Sequence, residues 1–144
     1  MKRLLLLLVL CAASLPAQSA YAIPGNTSAS FGYTFWSGSV AGTVAYLTVP
    51  FSCTITGWTV ISTTGTASVD VWKIAAGTSL PTVANKITGS SIPTLSSGSI
   101  ATGTGLIAAG WSTVSVAAGD IFAFDLYAIG TAGATITAQL NCQR

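Results

Sequence analysis

The sequence contains no histidine and no glutamate, and only 6% of its residues are charged. General acid–base catalysis relies mainly on histidine and carboxylate side chains, and a Ser-His-Asp or Cys-His site is excluded within one such chain. A zinc site of the usual Cys/His type is excluded as well, because there is no histidine and there are only three cysteines. We therefore expect a protein that is not an enzyme and that has no metal site and no cofactor.

The acidic residues are three aspartates, Asp70, Asp120 and Asp125. Asp120 and Asp125 are closest along the chain, but their odd spacing places them on opposite faces of a regular strand, which does not suit a glycosidase pair. Asp120 follows Gly119, and this pattern predicts a turn in which the carboxylate accepts nearby backbone N–H groups. No EF-hand or repeat loop is present that would bind calcium.

Basic residues are equally scarce, and beyond residue 22 the formal charges cancel, with Lys73, Lys86 and Arg144 balancing the three aspartates. Without a basic patch, the chain is not expected to bind nucleic acid. A neutral surface resists self-association poorly. We therefore expect a homo-oligomer.

The N-terminal segment has the pattern of a cleavable signal peptide. Lys2 and Arg3 precede an apolar run over residues 4–15, and the tripeptide Ala-Tyr-Ala at 20–22 matches the peptidase's preference for small side chains. The run is shorter than the roughly 20 residues of a membrane-spanning helix. The sequence thus predicts a signal peptide at residues 1–22.

The mature chain is then predicted to be a single domain at residues 23–144, secreted or periplasmic, with no membrane span. Cys11 raises the alternative of a lipoprotein, in which a cysteine becomes the new N-terminus. Leu10 argues against it, because that cleavage requires a small residue before the cysteine.

Valine, isoleucine, threonine and aromatic residues dominate the rest of the chain, and glycine and Ser/Thr clusters interrupt it at short intervals. This pattern predicts an all-β sandwich or barrel. The expected strands are Ser28–Phe35, 45–49, Cys53–Ser62, Ala67–Ile74, 112–116, Ile121–Ile129 and 134–142, with a shorter one near 105–108. We also expect one helical turn at 81–86 with Pro81 at its first position, and a long surface loop at 90–105.

The two mature cysteines lie on apolar faces of predicted strands. Alternation places Cys142 with Leu140, and Cys53 with Ile55 and Ile61. If the two strands pair antiparallel, Cys53 lies beside Cys142. Export to an oxidising compartment then favours a disulfide, worth about 4–5 kcal/mol in the chain-entropy model. Two buried free thiols are the alternative.

The predicted strand Ile121–Ile129 is apolar on both faces, with Phe122 and Phe124 on one and Ala123 and Tyr127 on the other. Such a strand is expected at the centre of a sheet, with protein on both sides. In a thin two-sheet domain, one covering layer could come from a partner subunit, which is a second indication of an oligomer.

The aromatic residues supply the candidate binding site. Exposed Trp and Tyr rings stack on sugars and anchor interfaces, although each tryptophan could instead pack in the core. Trp58 and Trp72 are out of phase with the aliphatic residues of their strands. If those aliphatic residues face the core, Trp58, Asp70 and Trp72 share the outer face, where they would form a platform for a glycan or a neighbouring subunit.

Four segments carry a family resemblance: ITGWTVISTTGTASVDVWK, PTVANKITGSSIPTLSS, GWSTVSVAAGDIFAFDL and ATITAQL. In order and spacing, residues 51–140 resemble a domain that recurs in bacteriophage tail-fibre and other virion proteins. The resemblance implies a jelly-roll-like antiparallel β-sandwich, often in trimeric fibres, that attaches to host surfaces or builds the virion. It transfers no binding residue, because the family has no fixed binding motif.

Two hypotheses follow. The first is a secreted, non-enzymatic binding module related to tail-fibre-type domains, with a glycan or cell-surface ligand. The alternative is a structural or assembly subunit of an extracellular or virion-like homo-oligomer. A signal peptide is not needed by tail proteins assembled in the cytoplasm, so we favour a bacterial protein that uses the module outside the inner membrane.

Overall fold

The computed structural model describes residues 28–77 and 79–144. Its strands are β1 (Ser28–Phe35), β2 (Thr43–Thr48), β3 (Cys53–Ser62), β4 (Ala67–Ile74), β5 (Thr94–Leu95), β6 (Ile100–Thr104), β7 (Ser115–Val116), β8 (Ile121–Ile129) and β9 (Ile136–Gln143), with one 3-10 turn at Val83–Asn85. The predicted signal peptide at 1–22 and Cys11 lie outside the described residues. Within those residues, no helix has the length and apolar character to cross a membrane.

The strands form two antiparallel sheets that pack face to face as a sandwich. Sheet A has the order β1-β9-β3-β6, with β7 pairing to the start of β3, and sheet B has the order β2-β8-β4-β5. The prediction of an all-β antiparallel sandwich is confirmed. β8 lies between β2 and β4, so its predicted central position is also confirmed.

The inner faces of the two sheets form one hydrophobic core. Phe31 of β1 and Phe122 of β8 meet across the sandwich with ring centroids 4.8 Å apart in an edge-to-face arrangement. Phe124, Leu126 and Leu140 are also almost fully buried. Each large apolar side chain of this kind contributes about 1.5–3 kcal/mol by leaving water, so the alternation of apolar residues determines which face of each strand is inside.

Four predicted strands, β1, β3, β4 and β8, have the observed bounds, but the predicted loop at 90–105 is wrong. It contains β5 and β6. Among the described strands, β6 is an edge strand that pairs with β3 alone, and its Thr and Ile residues favour an extended backbone. The predicted strand near 105–108 is also wrong, because this stretch turns, with the Ala109 N–H donating to the Gly105 carbonyl.

The predicted helical turn exists as the 3-10 turn Val83–Asn85, but Pro81 is not its first residue. The side chain of Asn85 instead accepts the Thr82 N–H at 2.9 Å and caps the turn. The chain that follows the turn returns to the edge of β4.

Cys53 of β3 and Cys142 of β9 form a disulfide, with their Cα atoms 5.7 Å apart and a sequence separation of 89. The predicted bridge is confirmed, and the alternative of two free thiols is wrong. Both cysteines are buried. The bond therefore ties an early strand of sheet A to the last one from inside the core.

A β-bulge in β3 reverses the predicted alternation. Ile55 lies opposite Cys142 but Gly57 lies opposite Asn141, so Thr56 is an extra residue. Beyond it, Trp58 packs against the core, while Ile61 is 41% exposed. The prediction that Trp58 lies on an outer face is therefore wrong, because one inserted residue moves every later side chain to the other face.

Candidate functional site

Asp70 lies on the face of sheet B that points away from the core, which we call the outer face of sheet B, yet it is only 2% exposed. Its Oδ1 accepts the Val71 N–H at 2.8 Å and the Thr88 hydroxyl. Its Oδ2 accepts the Trp72 indole N–H at 3.2 Å and lies 3.1 Å from Lys86 Nζ. Both oxygens are engaged by the protein itself, as a buried carboxylate requires.

Lys86 and Thr88 reach Asp70 because the chain after the 3-10 turn runs antiparallel along the edge of β4. Lys86 forms a β-bridge with Trp72, and the Ile87 N–H donates to the Val71 carbonyl at 3.0 Å. Ile87 is buried in the core. Because side chains alternate in an extended chain, Lys86 and Thr88 then point toward Asp70 on the outer face.

Asp125 of β8 stands directly opposite Asp70. Its Oδ1 is buried and has no hydrogen-bond partner within the described part of the chain. Desolvation by burial and, second, the negative charge of Asp70 raise the pKa of Asp125 above its ordinary value, although Lys86 acts in the opposite direction. On this face, Asp125 is therefore the carboxyl group with an oxygen that the described residues leave without a hydrogen bond.

Two exposed tyrosines flank Asp125. Tyr46 of β2 pairs with Ala123, two residues before Asp125, and Tyr127 lies two residues after it. These positions are about 7 Å from Asp125 by strand geometry. Tyr46 is 37% exposed and Tyr127 is 59% exposed. We call Tyr46, Asp125 and Tyr127 the tyrosine–aspartate site.

Tyr127 lies at a second β-bulge, on the outer face that it shares with Asp125 by alternation. Ser68 lies opposite Ala128 but Val69 lies opposite Leu126, so Tyr127 is the extra residue on β8. Tyr127 is an exposed aromatic residue in a strand that is otherwise mostly buried.

The three residues predicted to form a platform do not share one surface. Asp70 and Trp72 do lie together on the outer face of sheet B, but both are buried and bonded to each other. Trp58 lies in the other sheet and faces inward. Its indole ring occupies the space where a side chain at Gly103 would lie. Alternation along β2 and β8 could have identified the outward direction of Tyr46 and Tyr127, whereas nothing in the sequence marks the bulge at Tyr127.

Asp120 and Lys73 form a second ion pair, with 2.8 Å between Lys73 Nζ and Asp120 Oδ2. The same oxygen accepts the Ala117 N–H at 2.8 Å, and Gly119 has a positive φ of 92°. The predicted turn role of Asp120 is confirmed. Its pairing with Lys73 was not evident from sequence spacing, because Lys73 lies near the end of β4 and Asp120 lies in the turn before β8.

Uncharged polar residues cover the side of sheet A that points away from the core, which we call the outer face of sheet A. They include Thr34, Thr59, Thr137, Gln139 and Asn141. The Thr34 and Thr137 hydroxyls hydrogen-bond each other at 2.9 Å across β1 and β9. At one end of this face, Ile61 and Ile100 lie opposite each other, and both are exposed. The face therefore combines a neutral hydroxyl and amide surface with a small apolar patch.

Among residues 28–77 and 79–144, no three His, Cys, Asp or Glu side chains come together as a group that could hold a metal ion. Comparison of the chain with protein-family models, with curated proteins and with solved structures found no match.

Proposed function

We propose that this chain is a secreted, non-enzymatic binding module that attaches to a glycan or to a glycan-bearing cell surface. The observation that carries the proposal is the tyrosine–aspartate site, in which two exposed phenol rings flank a carboxylate. Tyrosine rings stack on the apolar faces of sugar rings, and the tyrosine hydroxyl groups hydrogen-bond to polar groups at the solvent-facing edge of the sugar. A carboxylate oxygen accepts hydrogen bonds from sugar hydroxyls.

Charge favours a neutral or hydroxyl-rich ligand over an anionic one. Asp125 lies beside Asp70, and the cation of the cluster, Lys86, is paired with Asp70. An anionic sugar placed on this face would meet a carboxylate rather than an unpaired cation. A neutral sugar needs only hydrogen bonds and ring stacking, both of which the tyrosine–aspartate site offers.

The strand order supports a jelly-roll interpretation of the sandwich. A jelly roll contains eight antiparallel strands in two Greek keys, so that strands far apart in sequence become neighbours. Here β1 lies beside β9, and β2 lies beside β8. We include a relation to tail-fibre-type domains in the proposal, on the sequence patterns alone.

Secretion or export to the periplasm belongs to the same proposal. The disulfide between Cys53 and Cys142 is compatible with it, because such bonds persist in oxidising compartments. The N-terminal pattern at residues 1–22 supports it from sequence.

Binding to a panel of immobilised neutral and acidic polysaccharides tests the function. We expect the wild-type protein to bind at least one neutral polysaccharide, and Tyr46→Ala and Tyr127→Ala each to weaken that binding at least tenfold, or about 1.4 kcal/mol. Val83→Ala is the matched control, because Val83 is exposed but lies in the 3-10 turn. The proposal fails if no polysaccharide binds, or if both tyrosine variants bind as the wild type does.

A second candidate function is an assembly subunit of a homo-oligomer, which the exposed Ile61–Ile100 pair on the outer face of sheet A favours. Exposed apolar residues on a neutral face can be covered by a second copy. Multi-angle light scattering of the mature protein at increasing concentration tests it. We expect an oligomer that Ile61→Lys dissociates, and a wild-type monomer at every concentration would refute it.

A further inference from the structure

We propose that Lys86 and Asp70 condense into an intramolecular amide bond that fastens the chain after the 3-10 turn to β4, with Asp125 carrying the protons. The bond would be a covalent modification of the chain itself, and it does not depend on the proposed binding function. Three arrangements support it: the placement of the amine, the donors around Asp70, and the neighbouring carboxyl group.

The two reacting groups are held at contact distance. Lys86 Nζ lies 3.1 Å from Asp70 Oδ2, and the side chains are 26% and 3% exposed. The β-bridge between Lys86 and Trp72 and the bond from the Ile87 N–H to the β4 backbone fix the lysine beside the strand. Holding an amine and a carboxyl group in this way replaces a bimolecular encounter by an intramolecular one, with effective concentrations far above those in solution.

The donors around Asp70 are divided between its oxygens in the way the reaction requires. Oδ1 accepts the Val71 N–H and the Thr88 hydroxyl. When the amine adds to the carboxyl carbon, negative charge develops on the retained oxygen, and two donors already directed at it stabilise that charge. Oδ2, which faces Lys86 and also accepts the Trp72 indole N–H, is then the oxygen that leaves.

Asp125 supplies the third element. It stands opposite Asp70, and burial raises its pKa, so a larger fraction of this carboxyl group carries a proton than at an exposed aspartate. Among the described residues Asp125 forms no ion pair with Lys86, so its carboxyl group would act through one water molecule, giving a proton to the leaving oxygen and taking one from the attacking amine. Asp125 would finish the reaction in the protonation state in which it began.

The reaction balances without any further reactant. The Lys86 ammonium group and the Asp70 carboxylate together become an amide and one water molecule. The bond from Nζ to the Asp70 carboxyl carbon forms, and the bond from that carbon to Oδ2 breaks. Nζ keeps one hydrogen, and its other two leave with Oδ2 as water. The product replaces two partly buried charges by a neutral group, which removes their desolvation cost.

The pair formed by Lys73 and Asp120 is an internal comparison. It is even closer, at 2.8 Å, but the Ala117 N–H donates to Oδ2, the oxygen that faces Lys73, and not to the oxygen that an amide would retain. Within the described strands, the register places no carboxyl group opposite Asp120 as Asp125 is opposite Asp70. We therefore expect this pair to remain an ordinary ion pair.

Intact-mass measurement of the reduced wild-type protein tests the proposal. We expect a mass lower than that of the sequence by one water molecule. Trypsin cleaves an unmodified chain after Lys73 and Lys86 and releases peptide 74–86. An amide at Lys86 prevents that cleavage and leaves peptide 74–144 attached through Asp70 to the peptide that ends at Lys73. A full sequence mass together with free peptide 74–86 would overturn the proposal, as would a water loss mapped elsewhere.

Variants assign the roles. Lys86→Arg keeps the positive charge and Asp125→Asn keeps the shape of the acid, and both should restore the full mass, whereas Lys73→Arg should show the same water loss as the wild type. Circular dichroism verifies that each variant is folded. If Asp125→Asn does not fold, Asp125→Glu, which retains the acid, should fold and lose water. A folded Asp125→Asn that loses the water as completely as the wild type would overturn the role of Asp125.

Discussion

Asp70 and Asp125 face each other directly across β4 and β8, and the protein treats them differently. Asp70 receives donors on both oxygens and a lysine, whereas Asp125 keeps a buried oxygen with no hydrogen-bond partner among residues 28–77 and 79–144. Like charges directly opposite each other destabilise a pair of strands. Because the donors and the lysine are directed at Asp70, Asp125 is the carboxyl group of the two that holds a proton more readily.

This arrangement predicts a pH-dependent stability at Asp125. Because its pKa is raised, the folded state holds the proton more tightly than the unfolded chain does. The resulting stability is fully present below the ordinary pKa of 3.8 and is lost as the pH rises through the raised pKa. Replacing Asp125 by Asn removes this loss, so the variant should gain stability over the wild-type residue as the pH rises.

The comparison is made in the Lys86→Arg background, which keeps a cation beside Asp70 and cannot form the amide. Denaturant unfolding of both proteins from about pH 3 to about pH 8 measures the difference in the free energy of unfolding. The gap should close at the acidic end and open toward neutral pH. A gap that stays constant over the range would show that Asp125 does not titrate in the expected way.

Gly103 makes room for the Trp58 indole. A Cβ at position 103 would overlap the ring, so Gly103→Ala should destabilise the fold by about 1–3 kcal/mol through overpacking. Thr102→Ala, on the exposed face of the same strand, is the control and should have a small effect. In the Trp58→Leu background the cost of Gly103→Ala should largely vanish, and an undiminished cost would contradict the contact.

The disulfide is expected to contribute substantially to stability. Removing it with Cys53→Ala and Cys142→Ala together should cost about 4–5 kcal/mol, because the bond spans a sequence separation of 89. Each single variant should lose nearly as much as the double variant, since either one abolishes the bond. Unfolding by urea measures all three, and a double variant within about 1 kcal/mol of the wild type would contradict the estimate.

The ion pair between Lys73 and Asp120 should contribute to stability because both side chains are largely buried. Asp120→Asn keeps an acceptor for the Ala117 N–H but leaves the Lys73 charge unpaired, which should cost about 3 kcal/mol. Adding Lys73→Met removes that charge and should restore much of the loss. Thermal or chemical unfolding of the single and double variants checks this, and an equally unstable double variant would argue against an electrostatic cause.

Much of the sandwich was predictable because its central strands are long and alternate regularly. β4 and β8 follow the pattern of apolar residues closely enough to fix both their bounds and their inner faces. The error at Trp58 arises where one residue is inserted. The bulge at Thr56 turned Trp58 inward, and no residue type in the sequence announces it.

The candidate site was less predictable than the fold, because its parts come from distant segments. Asp70 and Trp72 were correctly placed on one outer face, but Asp70 is also contacted by Lys86 and Thr88 from a later segment. Because Asp70 and Trp72 are buried and hydrogen-bonded to each other, other residues form the exposed part of this face. One of them is Tyr46, which the sequence pattern did not single out. Alternation predicts the face of a residue, whereas its exposure depends on what the rest of the chain places over it.

The central claim is that ligand binds at the tyrosine–aspartate site. Titrating isotopically labelled protein with a short oligosaccharide of a bound neutral polysaccharide, followed by nuclear magnetic resonance, tests it most directly. We predict that signals of Tyr46, Asp125 and Tyr127 shift with saturation, while those of the outer face of sheet A stay unchanged. Shifts confined to sheet A, or no shifts at saturating concentration, would contradict the account.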